Sequence, residues 1–486
     1  MEHTTLSLAL LAIYVVGLII AGLRSRHNES SEDYFLANRQ LPAWLLAITF
    51  IASWWGGGSA IDLVDHAFAN GLSSFWVYGV PVLIATALMF LFARAIRKVG
   101  SITQPELMAE RYNNTAALLL TIFIIIFMVI GAAVQIIVVA RFFHSFYEVT
   151  YNQGAVIGTS IVLLYALFGG FRGVVLTDLL QFIFFLIAGI IFFYMMYDRS
   201  GGMDVVLKSA QERGQLDYVS FFSGVTDNLA YVITFGTSWM IQANIWQRIS
   251  AARHPTDARK MMLISFIAFV PLYLMVTYTG MYASTIYEVV PSGGIVPDMI
   301  SNISSPILSA ILFVGLSAAI MSTMDSLINT GALSLTIDVY KKYVSPEASP
   351  KTQVKVGRIS TVVVSCVALI IALNIQSVIT ISWIASDFLT TGAFVPLVAG
   401  FIWSKGTARA AVTSMIFGLV FSSYNLLVAM GIDLPTSWDT ASAMQAIIGI
   451  SLSLIIYVSV SMIWPEDELR AKRFIKKTGF LAKGVT

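Results

Sequence analysis

Long apolar stretches follow one another along almost the whole chain, and short polar segments separate them. Stretches of roughly 18 or more apolar residues are typical of helices that cross a bilayer, not of helices in a soluble core. The pattern predicts thirteen membrane-spanning helices, at residues 6–23, 42–68, 75–94, 116–143, 153–169, 174–197, 227–246, 261–284, 306–337, 359–372, 380–403, 411–430 and 443–464.

The composition supports a membrane protein and excludes a soluble one. Hydrophobic residues make up 57% of the chain and charged residues only 12%, with a mean hydropathy of +0.80. Such a chain cannot present the charged surface that a soluble protein of this length needs. The longest polar connection, 198–226, and the tail after residue 464 are too short for a soluble domain, so we expect the function to reside in the helices.

The basic residues predict an orientation, because cytoplasmic loops are enriched in Lys and Arg. With the N-terminus outside and the C-terminus inside, all but four of the 29 basic residues fall in cytoplasmic segments; the exceptions are Arg141, Arg199, Lys208 and Arg213. The cytoplasmic set includes Arg26, Arg248 and Lys483. The net charge of +2 reflects these loops and does not indicate nucleic-acid binding. We expect the protein to lie in the lipid bilayer of a bacterial cytoplasmic membrane.

Two predicted helices carry glycines where a helix prefers none. Gly56, Gly57 and Gly58 lie in the middle of the second helix, and Gly236 lies in the seventh, before Thr237. Glycine costs about 1 kcal/mol in a helix interior, so a run of three makes local unwinding easy. Interrupted helices in corresponding positions of two halves indicate a transporter binding site, whereas the alternative is that the glycines only permit close packing.

The residues around these breaks are the candidate solute site. Besides the three glycines, the candidates are Trp54, Ser59, Tyr78, Trp239, Gln242 and Asn244. Bare backbone N–H groups beside the N-terminus of a half-helix favour an anionic group such as a carboxylate. We therefore expect an amino acid or a small carboxylic acid as the solute.

Oxygen-bearing side chains in the ninth predicted helix suggest a cation site. Ala319, Ser322, Thr323 and Ser326 share one helical face, and Asp325 lies at its margin. Hydroxyl and carboxylate oxygens suit a small hard cation, although membrane Ser and Thr also bond their own i−4 carbonyls.

Other ionisable residues inside predicted helices are weaker candidates. Asp178 follows soon after Arg172, so it is either a functional carboxylate or only a helix cap and partner of that arginine. Asp62, Asp65, His66 and Asp387 could line an outward vestibule or a proton path, or simply be exposed to water at a cavity edge. The sequence leaves their roles open.

Motifs of catalysis are missing from the sequence. It contains no Walker A segment, no HExxH motif and no CxxC pair, and its one cysteine, Cys366, excludes an internal disulfide. The chain is therefore expected to be neither an enzyme nor a self-contained ATP-driven pump.

Four segments resemble the sodium/solute symporter family. Residues 33–42 (DYFLANRQLP) resemble the family's DYFLAGRSLP, and residues 169–181 (GGFRGVVLTDLLQ) resemble GGxxAVxxTDxxQ, with Gly173 in place of alanine. Residues 247–253 (QRISAAR) resemble QRxxAAK, and residues 321–326 with 338–341 resemble MSTxDS followed by DIYK. The four matches occur in order and cover nearly the whole chain.

The resemblance implies an all-α, polytopic membrane protein with the leucine-transporter fold. In that fold two inverted five-helix repeats form the core. It implies an extra helix and loop at 1–41, a first repeat with its outer loop at 42–226, a second repeat at 227–405, and two peripheral helices with a tail at 406–486.

The resemblance also implies the sodium ligands. The main site would use the backbone carbonyls of Ala52, Trp55 and Ala319 and the hydroxyls of Ser322 and Thr323. A second site, found in some members, would recruit Asp178 and Ser326, and Asp325 would add a carboxylate there. A sugar is disfavoured, because Ser59 and Tyr78 stand where the sugar-transporting relatives have their polar residue and glutamate.

The sequence thus predicts sodium-driven uptake of a small organic solute by alternating access. Proton coupling through Asp325 or Asp178 is one alternative, and a transporter-like membrane sensor is another. We expect a monomer, but the sequence identifies neither the solute nor the number of sodium ions.

Overall fold

The structure, a computed structural model, describes residues 2–24, 31–303, 305–375, 377–436, 438–439 and 442–480. The regular secondary structure within these ranges is helical, apart from one isolated parallel bridge between Leu41 and Ala252. Two of the basic residues that were assigned to the cytoplasmic side, Arg26 and Lys483, lie outside the described residues.

Twenty α-helices make up the described chain. The first ten are α1 (Glu2–Arg24), α2 (Ser31–Leu36), α3 (Ala43–Trp54), α4 (Leu63–Asn70), α5 (Phe75–Val99), α6 (Gln104–Arg111), α7 (Asn114–Tyr147), α8 (Tyr151–Ser200), α9 (Met203–Glu212) and α10 (Val225–Met240). The others are α11 (Ala243–Ser250), α12 (Pro255–Ala283), α13 (Ile295–Ser301), α14 (Pro306–Leu333), α15 (Pro350–Asn374), α16 (Val378–Leu389), α17 (Val395–Ile402), α18 (Ala408–Ala429), α19 (Ala443–Ile463) and α20 (Leu469–Thr478).

Ten stretches of the described chain are helical, long and apolar enough to cross a membrane. One of them, Gly58–Val99, contains both α4 and α5. Two shorter apolar helices, Ala43–Trp54 and Tyr151–Leu167, cover the first part of the second predicted span and most of the fifth. The protein is therefore a multi-pass membrane protein, while the count of thirteen spans stays a prediction.

Helix α14 runs through the centre of the bundle. From Leu312 to Leu333 every side chain on it is buried. It packs against α1, α3, α7, α8 and α15, so neighbouring helices cover it on all sides. A helix that is apolar around its whole circumference is expected in such a position, and any polar group on it must find a partner inside the protein.

The fifth and sixth predicted spans meet without a loop at Gly170. Its backbone has φ 55° and ψ −161°, which turns the chain inside the range assigned to α8. A Cβ at this position would lie 2.8 Å from the Tyr34 backbone oxygen. Glycine is required here both by the positive φ and by the close approach. Because the turn occurs at Gly170, Asp178 lies two turns inside the second half of α8.

Arg111 holds the end of α17. It was assigned to a cytoplasmic loop, but its side chain is buried and donates to the carbonyls of Gly400, Trp403 and Gly406 at 3.0, 2.8 and 3.1 Å. The carbonyls of Gly400 and Trp403 lie at the C-terminus of α17 and that of Gly406 lies in the following loop, so one buried guanidinium ties the helix end to the loop.

Candidate functional site

The second predicted helix is broken at its glycine run. Helix α3 ends at Trp54, Trp55 has non-helical dihedrals of φ −83° and ψ 59°, and a π-helical turn over Gly58–Asp62 leads into α4. The break therefore lies where the glycines predicted it. Because the helix stops, carbonyl groups just before the break lose their i+4 N–H partners. They can instead accept hydrogen bonds from other donors or bind cations.

Thr323 of α14 faces this break. Its hydroxyl lies 3.4 Å from the carbonyl oxygen of Ala52 and 3.3 Å from that of Ala319. Three oxygens from two helices thus converge at one buried point. Neutral oxygen ligands of this kind suit a small hard cation.

Ser322, the neighbour of Thr323 on α14, contacts α8. Its hydroxyl donates to Asp178 Oδ1 at 2.6 Å, and Thr49 of α3 donates to Asp178 Oδ2. Asp178 also forms an ion pair with Arg248, whose Nη2 lies 3.0 Å from Oδ2. The side chains of Asp178 and Arg248 are both fully buried. The alternative partner considered from the sequence, Arg172, does not form this pair.

Arg248, which the sequence assigned to a cytoplasmic segment, lies on α11 with its side chain buried inside the bundle. Besides Asp178, it donates to the hydroxyls of Ser326 and Thr49 at 2.8 and 3.2 Å and to the carbonyl of Asn244 at 3.0 Å. A charged group inside a membrane protein is tolerated when it is paired and hydrogen-bonded in this way. The sequence carried one sign of this pair: Arg248 follows the predicted span 227–246 by two residues, which makes it available to a buried aspartate.

Asp325 lies near this ion pair, and it has no ion-pair partner among the residues that the structure describes. Its Oδ1 accepts from Ser326 at 3.3 Å, and its Oδ2 has no hydrogen-bond partner among the described residues. The side chain is completely buried. Among the described residues, Arg248 therefore pairs with only one of two neighbouring aspartates, and the buried Oδ2 atom of Asp325 could bind a cation.

The second broken helix is interrupted at a different position from the predicted one. Helix α10 continues through Gly236 and ends at Met240; the break is at Ile241 and Gln242, and α11 follows. The freed carbonyls of Ile241 and Met240 accept from Gln104 Nε2 and Trp246 Nε1 at 2.8 and 2.9 Å. Tertiary hydrogen bonds, not a glycine, make this break possible, and Gln104 had no signal in the sequence.

A cavity of about 80 Å³ lies between the two breaks. It is lined by eight of the nine predicted solute residues: Trp54, Gly56, Gly58, Ser59, Tyr78, Trp239, Gln242 and Asn244. The residues that the sequence did not indicate are Ser53, Phe127, Gly131, Val134, Gln135, Phe235, Leu327, Ser382, Ala385 and Ser386, and Thr323 also lines it. Most of these lie on α7 and α16, which carry no break. No Asp, Glu, Lys, Arg or His is among the lining residues in the described part of the chain.

Gly57 is the predicted solute residue that does not line the cavity. Its N–H donates to Gln135 Oε1 of α7 at 2.8 Å. One of the backbone donors expected for a carboxylate is therefore already occupied. Gln135 fixes the position of the break relative to α7, which the sequence did not reveal.

Asp62, Asp65 and His66 come after the break in the chain, and a second, larger cavity lies near them. This vestibule has a volume of about 800 Å³, and among these three residues only His66 lines it. Asp65 Oδ1 accepts from the N–H of Ile295 at 2.9 Å, which holds α13 against α4. Asp62 is nearly buried, and its Oδ2 has no partner among the described residues.

Two broken helices that flank an uncharged cavity inside an apolar bundle are typical of a membrane transporter. The protein belongs to the sodium:solute symporter family, whose family model matches residues 34–418. The resemblance drawn from the four motifs is thereby confirmed.

Curated relatives agree with this family. The chain is 24% identical to the sodium/proline symporter of Haemophilus influenzae over 95% of both proteins. It is 24% identical to the sodium/glucose cotransporter of Vibrio parahaemolyticus, covering 87% of this chain and 86% of that one. The sodium/pantothenate symporter of Haemophilus influenzae is 26% identical, over 86% and 88% of the two chains.

Solved structures show the same fold. A Na⁺-coupled sialic acid symporter in a substrate-bound, outward-open state has a TM-score of 0.81, with 16% identity over 96% of this chain and 99% of that one. MhsT in complex with L-phenylalanine has a TM-score of 0.57, with 12% identity over 86% and 98%. The structural neighbours are transporters of the leucine-transporter fold, and the family identifies Na⁺ as the coupling ion.

Proposed function

We propose that the protein carries an amino acid or a small carboxylate into the cell together with sodium, by alternating access. The observation that supports this most directly is the meeting of the Thr323 hydroxyl with the carbonyls of Ala52 and Ala319 at the break of α3. An ion at this point would tie α3 to α14. Sodium binding and the arrangement of these helices would then be thermodynamically linked.

The main sodium site is proposed at Ala52, Trp55, Ala319, Ser322 and Thr323. Ser322 already donates its proton to Asp178, and its oxygen still has a lone pair for an ion. These residues lie on and next to α3 and on α14, and Thr323 also borders the central cavity. Sodium would replace the weak contacts of Thr323, which are longer than the usual 2.7–2.8 Å or so for a hydroxyl donor.

A second sodium beside Asp325 remains a proposal. The Oδ2 atom of Asp325 has no partner among the described residues, which supports a cation there. The oxygens of Asp178 are occupied by Ser322, Thr49 and Arg248, so Asp178 would contribute little without a rearrangement. Asp325 and Ser326 are therefore the stronger part of this proposed site.

The solute is proposed to bind in the cavity between the breaks. The lack of a charged lining residue favours a solute whose charges balance one another or are balanced by sodium. The hydroxyl of Tyr78 makes no hydrogen bond within the described residues and is available to a solute. Ser59 is less available, because its hydroxyl lies 2.9 Å from that of Tyr273.

The repeat boundaries and the orientation extend this proposal. Breaks in α3/α4 and α10/α11 lie in corresponding positions of residues 42–226 and 227–405, which supports two inverted repeats. The segments 1–41 and 406–486 would lie outside the repeats. The distribution of basic residues supports an outer N-terminus and an inner C-terminus.

A thermal-shift screen of the purified protein tests the proposal. Amino acids, carboxylates, sugars and nucleobases are compared in NaCl and in KCl at equal ionic strength. Binding stabilises the folded state by about 2.7 kcal/mol at a hundredfold excess over Kd, so a true solute raises Tm clearly. We expect stabilisation by an amino acid or carboxylate in NaCl only. A solute that stabilises equally in KCl contradicts sodium coupling. A solute that binds in NaCl but is not accumulated by proteoliposomes favours the sensor.

A further inference from the structure

Trp383 of α16 lies between the central cavity and the vestibule. Its ring borders the vestibule, whereas its neighbours Ser382, Ala385 and Ser386 on the same helix line the central cavity. The ring packs on Phe235 at 5.8 Å between centroids, and Phe235 lines the central cavity. Aromatic rings from α16 and α10 therefore separate the two spaces.

The aromatic barrier continues into the cavity wall. Phe235 stacks on Trp239 with parallel planes 4.9 Å apart between centroids, and Tyr231 contacts Trp383 edge-on at 5.7 Å. A solute that enters from the vestibule must displace Trp383, Phe235 or both. The position of the Trp383 ring thus controls entry along the proposed transport path.

One hydrogen bond fixes the Trp383 ring. Its Nε1 donates to Oε1 of Gln445, a residue of α19, at 3.0 Å. Gln445 in turn donates from Nε2 to Asp387 Oδ1 at 2.6 Å. The indole can only donate and the carboxylate can only accept, so the amide of Gln445 has a single orientation that satisfies both. The bond therefore specifies the direction of the ring.

Asp387 is held by two further donors. Thr391 donates to Oδ1 at 2.9 Å, and Asn425 of α18 donates to Oδ2 at 3.3 Å. Asp387, one of the residues whose role the sequence left open, is buried and has no ion-pair partner within the described ranges. Buried polar groups inside a membrane protein are expensive and point to a role. Here they connect α16 to both α18 and α19.

We propose that Gln445 is a positioning residue that holds Trp383 over the outer entrance, so that the peripheral helices α18 and α19 control how readily the entrance opens. The proposal rests on the transport path proposed above. Gln445 does not touch the solute in this arrangement. It acts by stabilising the closed position of Trp383, and loss of its two hydrogen bonds favours the open one.

Thiol labelling tests the proposal. Ser386→Cys, in a Cys366→Ser background, places a reporter in the central cavity, and a membrane-impermeant charged methanethiosulfonate reagent is applied to intact cells. Gln445→Met removes both hydrogen bonds but keeps the length of the side chain. We expect it to increase the labelling rate about fivefold, as loss of one net hydrogen bond predicts, and Trp383→Ala to increase it at least as much.

Ile447→Met on the lipid-facing side of α19 is the matched control, and we expect it to leave the rate unchanged. A Gln445 variant that lowers the unfolding midpoint but leaves the labelling rate unchanged would have only a structural role, which overturns the proposal. An unchanged rate in Trp383→Ala overturns it too. The proposal is also refuted if Gln445→Met increases the labelling rate equally when the reagent reaches the protein from its cytoplasmic side, as measured with inverted vesicles.

The reporter with native Gln445 distinguishes failure of this proposal from failure of the proposed function. If sodium alone alters its labelling rate, sodium binding is coupled to the cavity whatever Gln445 does. If sodium has no effect but Gln445→Met still raises the rate, the entrance assignment survives and the sodium assignment fails.

Discussion

Gly56 lies directly against Thr323 where α3 stops. A Cβ built on Gly56 would lie 2.5 Å from Thr323 Oγ1 and 2.7 Å from Gln135 Oε1. Real Cβ atoms do not approach other atoms so closely, so the glycine is required for α3 and α14 to meet here. The glycine run thus serves both readings of the sequence, since it lies at a helix break and also permits close packing.

Gly56→Ala is expected to abolish sodium-dependent stabilisation. The added methyl group must push Thr323 away from the carbonyls of Ala52 and Ala319, and overpacking of this kind costs about 1–3 kcal/mol. The measurement is the Tm of the purified variant in NaCl and in KCl. Gly17→Ala on α1 is the control, because no atom lies within 4 Å of its Cβ position. Full sodium stabilisation of Gly56→Ala would contradict the assignment.

Arg248→Met is expected to reduce stability in both salts. It leaves Asp178 buried without its counter-charge, and breaking a buried pair by removing one partner costs about 3–5 kcal/mol. Thermal unfolding in detergent measures the loss. Arg253→Met provides a comparison, since Arg253 forms an ion pair with Asp257 at 3.3 Å but is half exposed. Exposed pairs contribute about 0–1 kcal/mol, so similar losses in the two variants would refute the role given to Arg248.

Tyr78→Phe is expected to weaken solute binding without changing sodium binding. Its hydroxyl borders the cavity and is not bound by the described protein, so a solute hydrogen bond is what the variant removes. Loss of about 1 kcal/mol raises the half-saturating solute concentration roughly fivefold. Tyr194→Phe, on an exposed face of α8, should behave like the native protein. If Tyr78→Phe changes the sodium affinity measured without solute, Tyr78 acts on sodium binding and its assignment to the solute site is wrong.

Much of the bundle was predictable, because apolar runs encode membrane helices directly. The break at Gly56 to Gly58 was also predictable, since a glycine run weakens a helix through local energetics alone. The break at Ile241 and Gln242 was not, because it carries no glycine and one of its free carbonyls is bound by Gln104, which is 137 residues away in sequence. The other is bound by Trp246 of the following helix.

The proposed sodium site likewise has features that follow from local sequence and features that only the fold creates. The oxygen-bearing face of α14 follows from helical periodicity, and it indicated Ser322 and Thr323 correctly as buried residues of one helix. The burial of Arg248 did not follow, because the positive-inside rule assigns a basic residue near the end of a span to a loop. Only the fold brings Arg248 to Asp178, 70 residues away in sequence.

Sodium dependence of Thr323→Ala tests the central claim most directly. The variant removes the proposed ligand oxygen together with the γ-methyl group, and Thr323→Ser separates the two losses because it lacks only the methyl group. The measurement is the half-saturating sodium concentration for uptake into proteoliposomes, with Thr323→Ser as the variant that restores the hydroxyl. We predict an increase of about tenfold or more for Thr323→Ala, equivalent to about 1.4 kcal/mol, and a near-native value for Thr323→Ser. An unchanged sodium half-saturation in Thr323→Ala would contradict the sodium site.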